Sequence, residues 1–257
     1  AKRIPGKEEF HETIRYFRKQ VERTGVHLHL NTRVDVGLLA SQGFEEVVIA
    51  TGVLPRQIQL EGIDHPKVLS YIEVLKGIKA VGARVAVIGA GGIGFDVAEF
   101  LSHDGEPTSL NVAAFMEEWG VDMQYSNRGA LTKPRPEPPA RQIYLCQRSK
   151  GKPGAGLGKT TGWVHRTALR RRNVKMLSEV SYQRIDDQGL HIIVKGEPRI
   201  LEVDHVVICA GQEPLRDLWE PLREKGAAVH LIGGADEARE LDAKRAIYQA
   251  SWLAAGV

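Results

Sequence analysis

The chain has 257 residues, of which 42% are hydrophobic and 26% are charged, and its formal net charge is +3. This length can bury a substantial core in one or two domains. The charge is too small to indicate a nucleic-acid partner, and no apolar run reaches the roughly 18 residues of a membrane span. We therefore expect neither a nucleic acid nor a membrane as a partner.

The first elements predicted along the chain are a helix and two strands. Apolar side chains at helical spacing predict a helix over residues 8–23, which Thr24 and Gly25 end. Apolar and polar residues alternate over residues 26–30, which predicts a strand. A second strand is predicted over residues 46–50, where Glu46 is followed by the apolar run Val-Val-Ile-Ala.

A glycine-rich turn follows an apolar strand at residues 85–88. It reads Gly89-x-Gly91-x-x-Gly94 and runs directly into a helical pattern, which is the setting of a dinucleotide-binding fingerprint. The first glycine permits the tight turn, the second lets the backbone approach a pyrophosphate, and the third lets the helix pack on the strand. A plain tight turn between strand and helix is the alternative. The candidate cofactor-binding residues are Gly89, Ala90, Gly91, Gly92, Ile93 and Gly94.

The chain then makes a long insertion, residues 102–140, before it returns to the sheet. Within it we predict a surface helix at 112–119 and extended backbone in the proline-rich run at 134–139. Arg170, Arg171 and Arg172 end a later predicted helix, where cations suit the helix dipole, with a ligand-facing patch as the alternative. The elements predicted after the insertion are a strand at 142–146, a helix at 162–172 and an antiparallel meander of strands at 180–185, 190–194 and 200–203.

The predicted nucleotide is NADPH. An NAD site places Asp or Glu at the end of the second strand of the fold, where it binds the ribose 2′-hydroxyl. Here the residues after the strand at 142–146 read Gln-Arg-Ser-Lys-Gly-Lys and include no carboxylate. Arg148 and Lys150 are the candidates to bind a 2′-phosphate through charge-assisted hydrogen bonds. A solvated basic turn is the alternative.

An internal echo links two further segments. Apolar strands end in Ala50-Thr51-Gly52 and, later, in Cys209-Ala210-Gly211. Such endings let backbone approach a flat ligand, or another chain segment, at the carboxyl edge of a parallel sheet. Ala50, Thr51, Gly52, Ala210 and Gly211 are therefore candidate cofactor-binding residues.

No catalytic residues and no metal ligands are predicted. Cys146 and Cys209 lie in apolar strands without a CxxC pattern, which indicates buried thiols in a reducing compartment, and we expect a cytoplasmic protein. Asp186 and Asp187 fall in a predicted hairpin turn, and we interpret both as structural. Hydride transfer between a nicotinamide and a flavin needs no acid–base pair, because the cofactors supply the chemistry.

Four segments carry a family resemblance that covers the chain nearly from end to end. They are residues 4–10, 62–71, 156–163 and 209–214, which read IPGKEEF, GIDHPKVLSY, GLGKTTGW and CAGQEP. Together with the fingerprint and the closing residues 230–236, they resemble the C-terminal FAD- and NADPH-binding part of the bacterial NADPH-dependent 2,4-dienoyl-CoA reductases, of the old yellow enzyme type.

The resemblance implies one part of a larger enzyme of fatty acid β-oxidation. In such enzymes NADPH reduces FAD, and electrons pass through a 4Fe-4S cluster to FMN, which reduces the dienoyl thioester. The partner of this chain would be an N-terminal barrel domain that holds FMN and the cluster. The rivals are the ADP-binding domain of an amine dehydrogenase of the same build and a non-catalytic nucleotide-binding module.

The resemblance also implies the domain organisation. A Rossmann-like NADPH domain, residues 81–202, would be inserted into the remainder of an α/β FAD domain, residues 1–80 and 203–257. We expect that remainder to form a parallel sheet from strands at 26–30, 46–50, 206–210 and 230–232. Asp236 and Gly234 would contact FAD, with Asp236 as a turn or cap residue as the alternative. We expect this chain alone to hold FAD weakly or not at all.

Overall fold

The computed structural model describes residues 1–239 and 241–257. The chain divides into a large unit, Ala1–Glu22 with Ile58–Ala210, and a small unit, Arg23–Gln57 with Gly211–Val257. These divisions differ from the predicted domain boundaries at 80/81 and 202/203, and the assignment of FAD and NADPH domains stays a prediction.

The helices and strands alternate along the chain, as expected for an α/β protein. The helices are α1 (Phe10–Thr24), α2 (Val36–Ser41), α3 (Tyr71–Lys76), α4 (Gly92–Ser102), α5 (Val112–Trp119), α6 (Gly162–Arg171), α7 (Trp219–Glu224) and α8 (Ala243–Ala254). The strands are β1 (Glu46–Ile49), β2 (Val53–Pro55), β3 (Val68–Ser70), β4 (Arg84–Ile88), β5 (Gln142–Cys146), β6 (Lys175–Leu177), β7 (Val180–Asp186), β8 (Gly189–Val194), β9 (Glu197–Leu201), β10 (His205–Ile208), β11 (Gln212–Pro214) and β12 (Ala228–Leu231).

A five-stranded parallel sheet forms the centre of the large unit, in the order β3-β10-β4-β5-β6. Successive residues of a strand point to opposite faces. Val85 and Val87 of β4 accordingly join an apolar cluster with α3, α4 and α6, whereas Ala86 and Ile88 join a second cluster with the meander. Both faces of the sheet are therefore buried, which suits a parallel sheet.

The meander β7–β8–β9 is antiparallel and packs on the second face of the sheet. The turn between β8 and β9 consists of Lys195 and Gly196, both with positive φ (52° and 90°), as tight hairpin turns require. The predicted α/β class, with a parallel sheet and an antiparallel meander, is confirmed.

The small unit contains two pairs of strands. β1 pairs with β12 in parallel, and β2 pairs with β11 in antiparallel fashion. Ile49, Leu222 and Ala235 form its buried core, against which residues of α2 and α7 pack. This core is much smaller than either cluster of the large unit.

Two strand predictions for the remainder of the FAD domain are wrong. Residues 26–30 form no strand, and Val26, Leu28 and Leu30 are 57%, 56% and 70% exposed. A strand needs a neighbour to bond with, and the described residues provide none for this segment.

The other error concerns residues 206–210, which we expected in the sheet of the small unit. β10 instead joins the sheet of the large unit, between β3 and β4. Val206 and Val207 are buried in the two apolar clusters of that unit. Just before the strand, the Asp204 carboxylate accepts hydrogen bonds from the Arg84 backbone N–H and from Arg84 Nη2, both at 2.8 Å.

Candidate functional site

The fingerprint glycines lie at the carboxyl edge of the parallel sheet, between β4 and α4. Gly89 has a φ of 107°, and a Cβ there would lie 2.4 Å from the carbonyl oxygen of Cys209. A Cβ at Gly94 would lie 1.7 Å from the carbonyl oxygen of Gly89. The first and third glycines are thus required by backbone contacts within the protein itself.

Gly91 and Gly92 differ from the other two glycines because they face open space. A Cβ at either position would meet no atom within 4 Å. Gly91 caps α4, and its carbonyl accepts the first helical hydrogen bond, from the N–H of Phe95 (3.0 Å). The N–H groups of the first helical turn have no acceptor within the helix and, with the helix dipole, favour an anion here. Ala90 and Ile93 pack against the apolar cluster on the first face.

A basic loop, residues 147–152, begins where β5 ends at Cys146. The side chains of Arg148 and Lys150 are exposed. The Gln147 side chain donates to the carbonyl of Ser149 (3.1 Å), which holds the loop in a bend. Because β4 and β5 are adjacent and parallel, this loop and the glycine turn lie at the same edge of the sheet. Helix N–H groups and exposed cationic side chains therefore lie at the same edge of the sheet, where both could bind one anionic ligand.

Ala210 belongs to the large unit, and its Cα lies 3.3 Å from where a Cβ on Gly89 would be. Cys209 and Ala210, the two residues directly after β10, thus lie against the fingerprint turn. Sequence reasoning had placed Ala210 with the flavin residues.

The remaining candidate residues lie in the small unit. Ala50 and Thr51 follow β1 and are exposed, and the Thr51 hydroxyl donates to the carbonyl of Leu215. A Cβ at Gly234 would lie 2.9 Å from Val53 Cγ1 and 3.1 Å from the Cα of Gly52. Gly234 therefore permits close contact between chain segments, which was the alternative to contact with a ligand, whereas a Cβ at Gly52 would meet no atom within 4 Å.

Gly211 and Asp236 have partners within the small unit as well. Gly211 has a φ of 100°, and a Cβ there would lie 3.4 Å from the Arg56 guanidinium. Asp236 ends the 3₁₀ turn Gly233–Ala235, and its Oδ2 accepts a hydrogen bond from Gln249 Nε2 (2.7 Å). Its other carboxylate oxygen has no such bond among the described residues, so the side chain is oriented and retains an acceptor.

The ionisable groups predicted to be structural have structural contacts. Asp186 Oδ2 lies 2.8 Å from His191 Nε2 and 3.1 Å from Arg184 Nε, and these partners hold the pKa of Asp186 well below its usual range. Burial raises the pKa of the Cys146 thiol to about 12 and raises that of Cys209 as well, so both remain protonated at neutral pH.

The arginine run at the end of α6 is structural at two of its three positions. The Arg171 guanidinium lies over the Trp119 ring, 4.7 Å from its centroid. Arg172 is 1% exposed, and its Nη2 lies 2.9 Å from Glu118 Oε1. These contacts support the interpretation of the run as a helix end.

Sequence reasoning missed Tyr182, whose hydroxyl is buried beside the fingerprint turn. It comes from the meander, 93 positions after Gly89 in the chain, and no local motif marks it.

Among the helices of the described residues, none has the length and apolar character of a membrane span.

Comparison with known proteins gives a family match over most of the chain. Residues 10–236 match the family model described as pyridine nucleotide-disulphide oxidoreductase. A metal reductase of Desulforamulus reducens is 24% identical over 250 residues, which are 96% of this chain and 36% of the relative. A cinnamate reductase of Clostridium sporogenes is 25% identical over 93% of this chain and 31% of its own length.

A solved structure shares the fold. In a complex of 2-naphthoyl-CoA reductase with 2-naphthoyl-CoA, the protein superposes with a TM-score of 0.76 at 24% identity, over 96% of this chain and 32% of that one. The chain thus spans about a third of the length of the relatives it matches.

Proposed function

We propose, from the premise that this chain belongs to the pyridine nucleotide-disulphide oxidoreductase family, that it is the NADPH-binding, hydride-input part of a larger flavin-dependent reductase. The family has a Rossmann-like FAD- and NAD(P)-binding fold, and the large unit has the parallel sheet and meander of that fold. The observation that carries the proposal is the carboxyl edge of this sheet. There the open Gly91-Gly92 turn and a basic loop without a carboxylate lie side by side.

The residues of this edge fit the two anionic parts of NADPH. The pyrophosphate would lie on the N-terminus of α4, where Gly91 and Gly92 leave room for it. Arg148 would bind the 2′-phosphate through two parallel N–H groups, and Lys150 would add a second cation. The bound nicotinamide supplies a hydride to the flavin.

Flavin would be held by the small unit. We propose that Ala50, Thr51, Gly52, Gly211, Gly234 and Asp236 line its site, with Asp236 offering its second carboxylate oxygen to hydroxyl groups of FAD. Gly234 also serves the packing of the unit, because a Cβ there would lie 3.1 Å from the Cα of Gly52.

For the parent enzyme we propose a 2,4-dienoyl-CoA reductase, with an FMN- and 4Fe-4S-containing barrel as the partner domain and a role in fatty acid oxidation in the cytoplasm. The four sequence segments that resemble this family support the proposal. So do the roughly threefold greater length of the relatives and the name of the cinnamate reductase, since cinnamate is an unsaturated acid. Alone, the chain would bind NADPH without reducing an acyl thioester.

Calorimetric titration of the chain with NADPH, NADH and ADP tests the proposal. Each charge-assisted contact to the 2′-phosphate contributes roughly 1.5–3 kcal/mol, so NADPH should bind about tenfold to a hundredfold more tightly than NADH. Adenosine 2′,5′-bisphosphate should likewise bind more tightly than adenosine 3′,5′-bisphosphate, which carries the same charge.

Each other outcome of these titrations has a separate meaning. Equal affinities for NADPH and NADH would contradict the role of the basic loop. ADP binding as tight as that of NADPH would favour the amine dehydrogenase alternative. A parent enzyme that binds NADPH tightly but does not oxidise it would favour a non-catalytic module.

A further inference from the structure

Tyr182 lies on the second face of the sheet, which the meander covers. The carboxyl edge of this sheet is where we propose that the nucleotide binds, and we call it the nucleotide edge. Tyr182 belongs to β7, and its ring packs against the apolar cluster that contains Ile88 and Cys146. These two residues are the last of β4 and β5. The ring therefore approaches the site from the meander, on the side opposite to α4.

The backbone of the basic loop is bonded to the start of the same strand. The N–H of Val180 donates to the carbonyl of Gln147 (3.0 Å), and the N–H of Glu179 donates to the carbonyl of Ser149 (3.3 Å). Arg148 lies between these two bonded residues. The loop that carries the guanidinium is thus fixed to the strand that carries Tyr182.

The hydroxyl of Tyr182 is buried, and its O–H donates to no acceptor among the described residues. The nearby N–H of Gly89 donates instead to the carbonyl of Cys146 (2.9 Å). Burial raises the pKa of the Tyr182 phenol, and the Cys146 thiol adds to this effect, whereas Arg148 and the Gly89 N–H oppose it. At neutral pH the group is therefore a protonated, unused donor, and a buried donor without a partner is costly.

We propose that Tyr182 is a further specificity residue of the nucleotide site, whose hydroxyl donates a hydrogen bond to the ribose 2′-phosphate held by Arg148. This inference rests on the proposed binding of NADPH. The phosphate would satisfy the unused donor, and NADH, which has a neutral 2′-hydroxyl at this place, would gain less from it.

The variant Tyr182→Phe tests the inference, because it removes one oxygen atom and keeps the ring. Its affinity for NADPH should fall about tenfold, which is the size of one charge-assisted hydrogen bond, while its affinity for NADH should stay unchanged. Without ligand, the variant should melt at the same temperature as the native chain or higher, because an unpaired buried hydroxyl is removed. Tyr144→Phe is the matched control, since the Tyr144 hydroxyl already accepts a hydrogen bond from Gln142 Nε2 (2.9 Å).

The outcomes separate this inference from the proposed function. If the native chain prefers NADPH and Tyr182→Phe keeps the whole preference, the inference is wrong and the proposed function stands. Equal loss of NADPH and NADH affinity would also overturn the inference, because the hydroxyl would then contact a group that both nucleotides share and not the 2′-phosphate. A native chain without any preference for NADPH would overturn both proposals. If Tyr182→Phe melts below the native chain, near-ultraviolet tyrosine difference spectra of the native chain with adenosine 2′,5′-bisphosphate provide the test. We expect a tyrosine signal on binding, and Tyr144→Phe should retain it. Absence of a tyrosine signal in the native chain would refute the contact.

Discussion

The three fingerprint glycines are needed for three different physical reasons. Gly89 needs its positive φ, and Gly94 needs to be without a Cβ because the carbonyl of Gly89 occupies that place. Gly91 satisfies neither condition, since its φ is −81° and the space beside it is open. A glycine next to open space is what a closely approaching pyrophosphate would require, so we expect Gly91 to be the fingerprint glycine most specific to ligand binding.

The side chain of Arg148 should determine the preference between the two nicotinamide nucleotides. Its replacement in Arg148→Ala removes the bidentate donor, so most of the tenfold to hundredfold preference for NADPH should disappear while the affinity for NADH stays nearly constant. Calorimetric titration of both nucleotides measures this. Arg128→Ala, which removes an exposed arginine from the insertion, is the control and should keep the preference. An unchanged preference in Arg148→Ala would show that the basic loop is only a solvated turn.

A buried ion pair attaches the insertion to the end of helix α6. Glu118 of α5 accepts a hydrogen bond from the Thr108 hydroxyl through one oxygen and pairs with Arg172 through the other. Glu137, from the proline-rich run, has a carboxylate oxygen 4.0 Å from the same guanidinium nitrogen. Glu118 is the one buried residue of α5 among those described, and the Arg171 guanidinium over the Trp119 ring is a second contact of α5 with the end of α6. Removal of one partner of such a pair leaves an uncompensated buried charge.

The variant Glu118→Gln should therefore destabilise the large unit by about 3 kcal/mol. Urea unfolding monitored by circular dichroism gives the free energy of unfolding. The neighbouring Glu117 makes an exposed ion pair with Arg135 (3.0 Å), so Glu117→Gln should change that free energy by less than about 1 kcal/mol. Equal effects of the two substitutions would show that the buried pair does not anchor the insertion.

The two compact units differ in the size of their cores and in the phosphate-binding turns that they contain. The large unit has a sheet covered on both faces, whereas the small unit has two separate strand pairs and a core of a few residues. The sequence of the small unit contains no second G-x-G-x-x-G turn to bind the pyrophosphate of FAD. Without a turn that binds the pyrophosphate, the small unit can contact only the flavin half of FAD.

We therefore expect the purified chain to bind NADPH but to bind FAD weakly or not at all. Visible flavin absorbance after purification, followed by titration with FAD, measures this. Heat of binding from NADPH in the same preparation is the control for a folded large unit. A yellow protein with one FAD per chain would contradict the expectation.

Local pattern was sufficient for the elements whose signal lies in consecutive residues. Helix 112–119 and strand 142–146 were predicted with the bounds that the structure has, because apolar periodicity and flanking turn residues specify them. The fingerprint turn was predicted for the same reason, since each glycine acts on atoms of its own strand–turn–helix unit or of the neighbouring strand.

Pairing and burial, in contrast, depended on contacts between distant residues. The alternation at 26–30 is that of a strand, yet a strand exists only where a neighbouring backbone bonds with it, and that segment has none among the described residues. β10 joined the large unit because Val206 and Val207, on opposite faces of the strand, are buried in the two apolar clusters of that unit. Tyr182 lies near the fingerprint turn because the meander packs on the sheet. No spacing in the sequence predicts this contact. The sequence determined which segments can form elements and which chemistry they carry, and tertiary packing decided which of them meet, since burial energy depends on the whole set of neighbours.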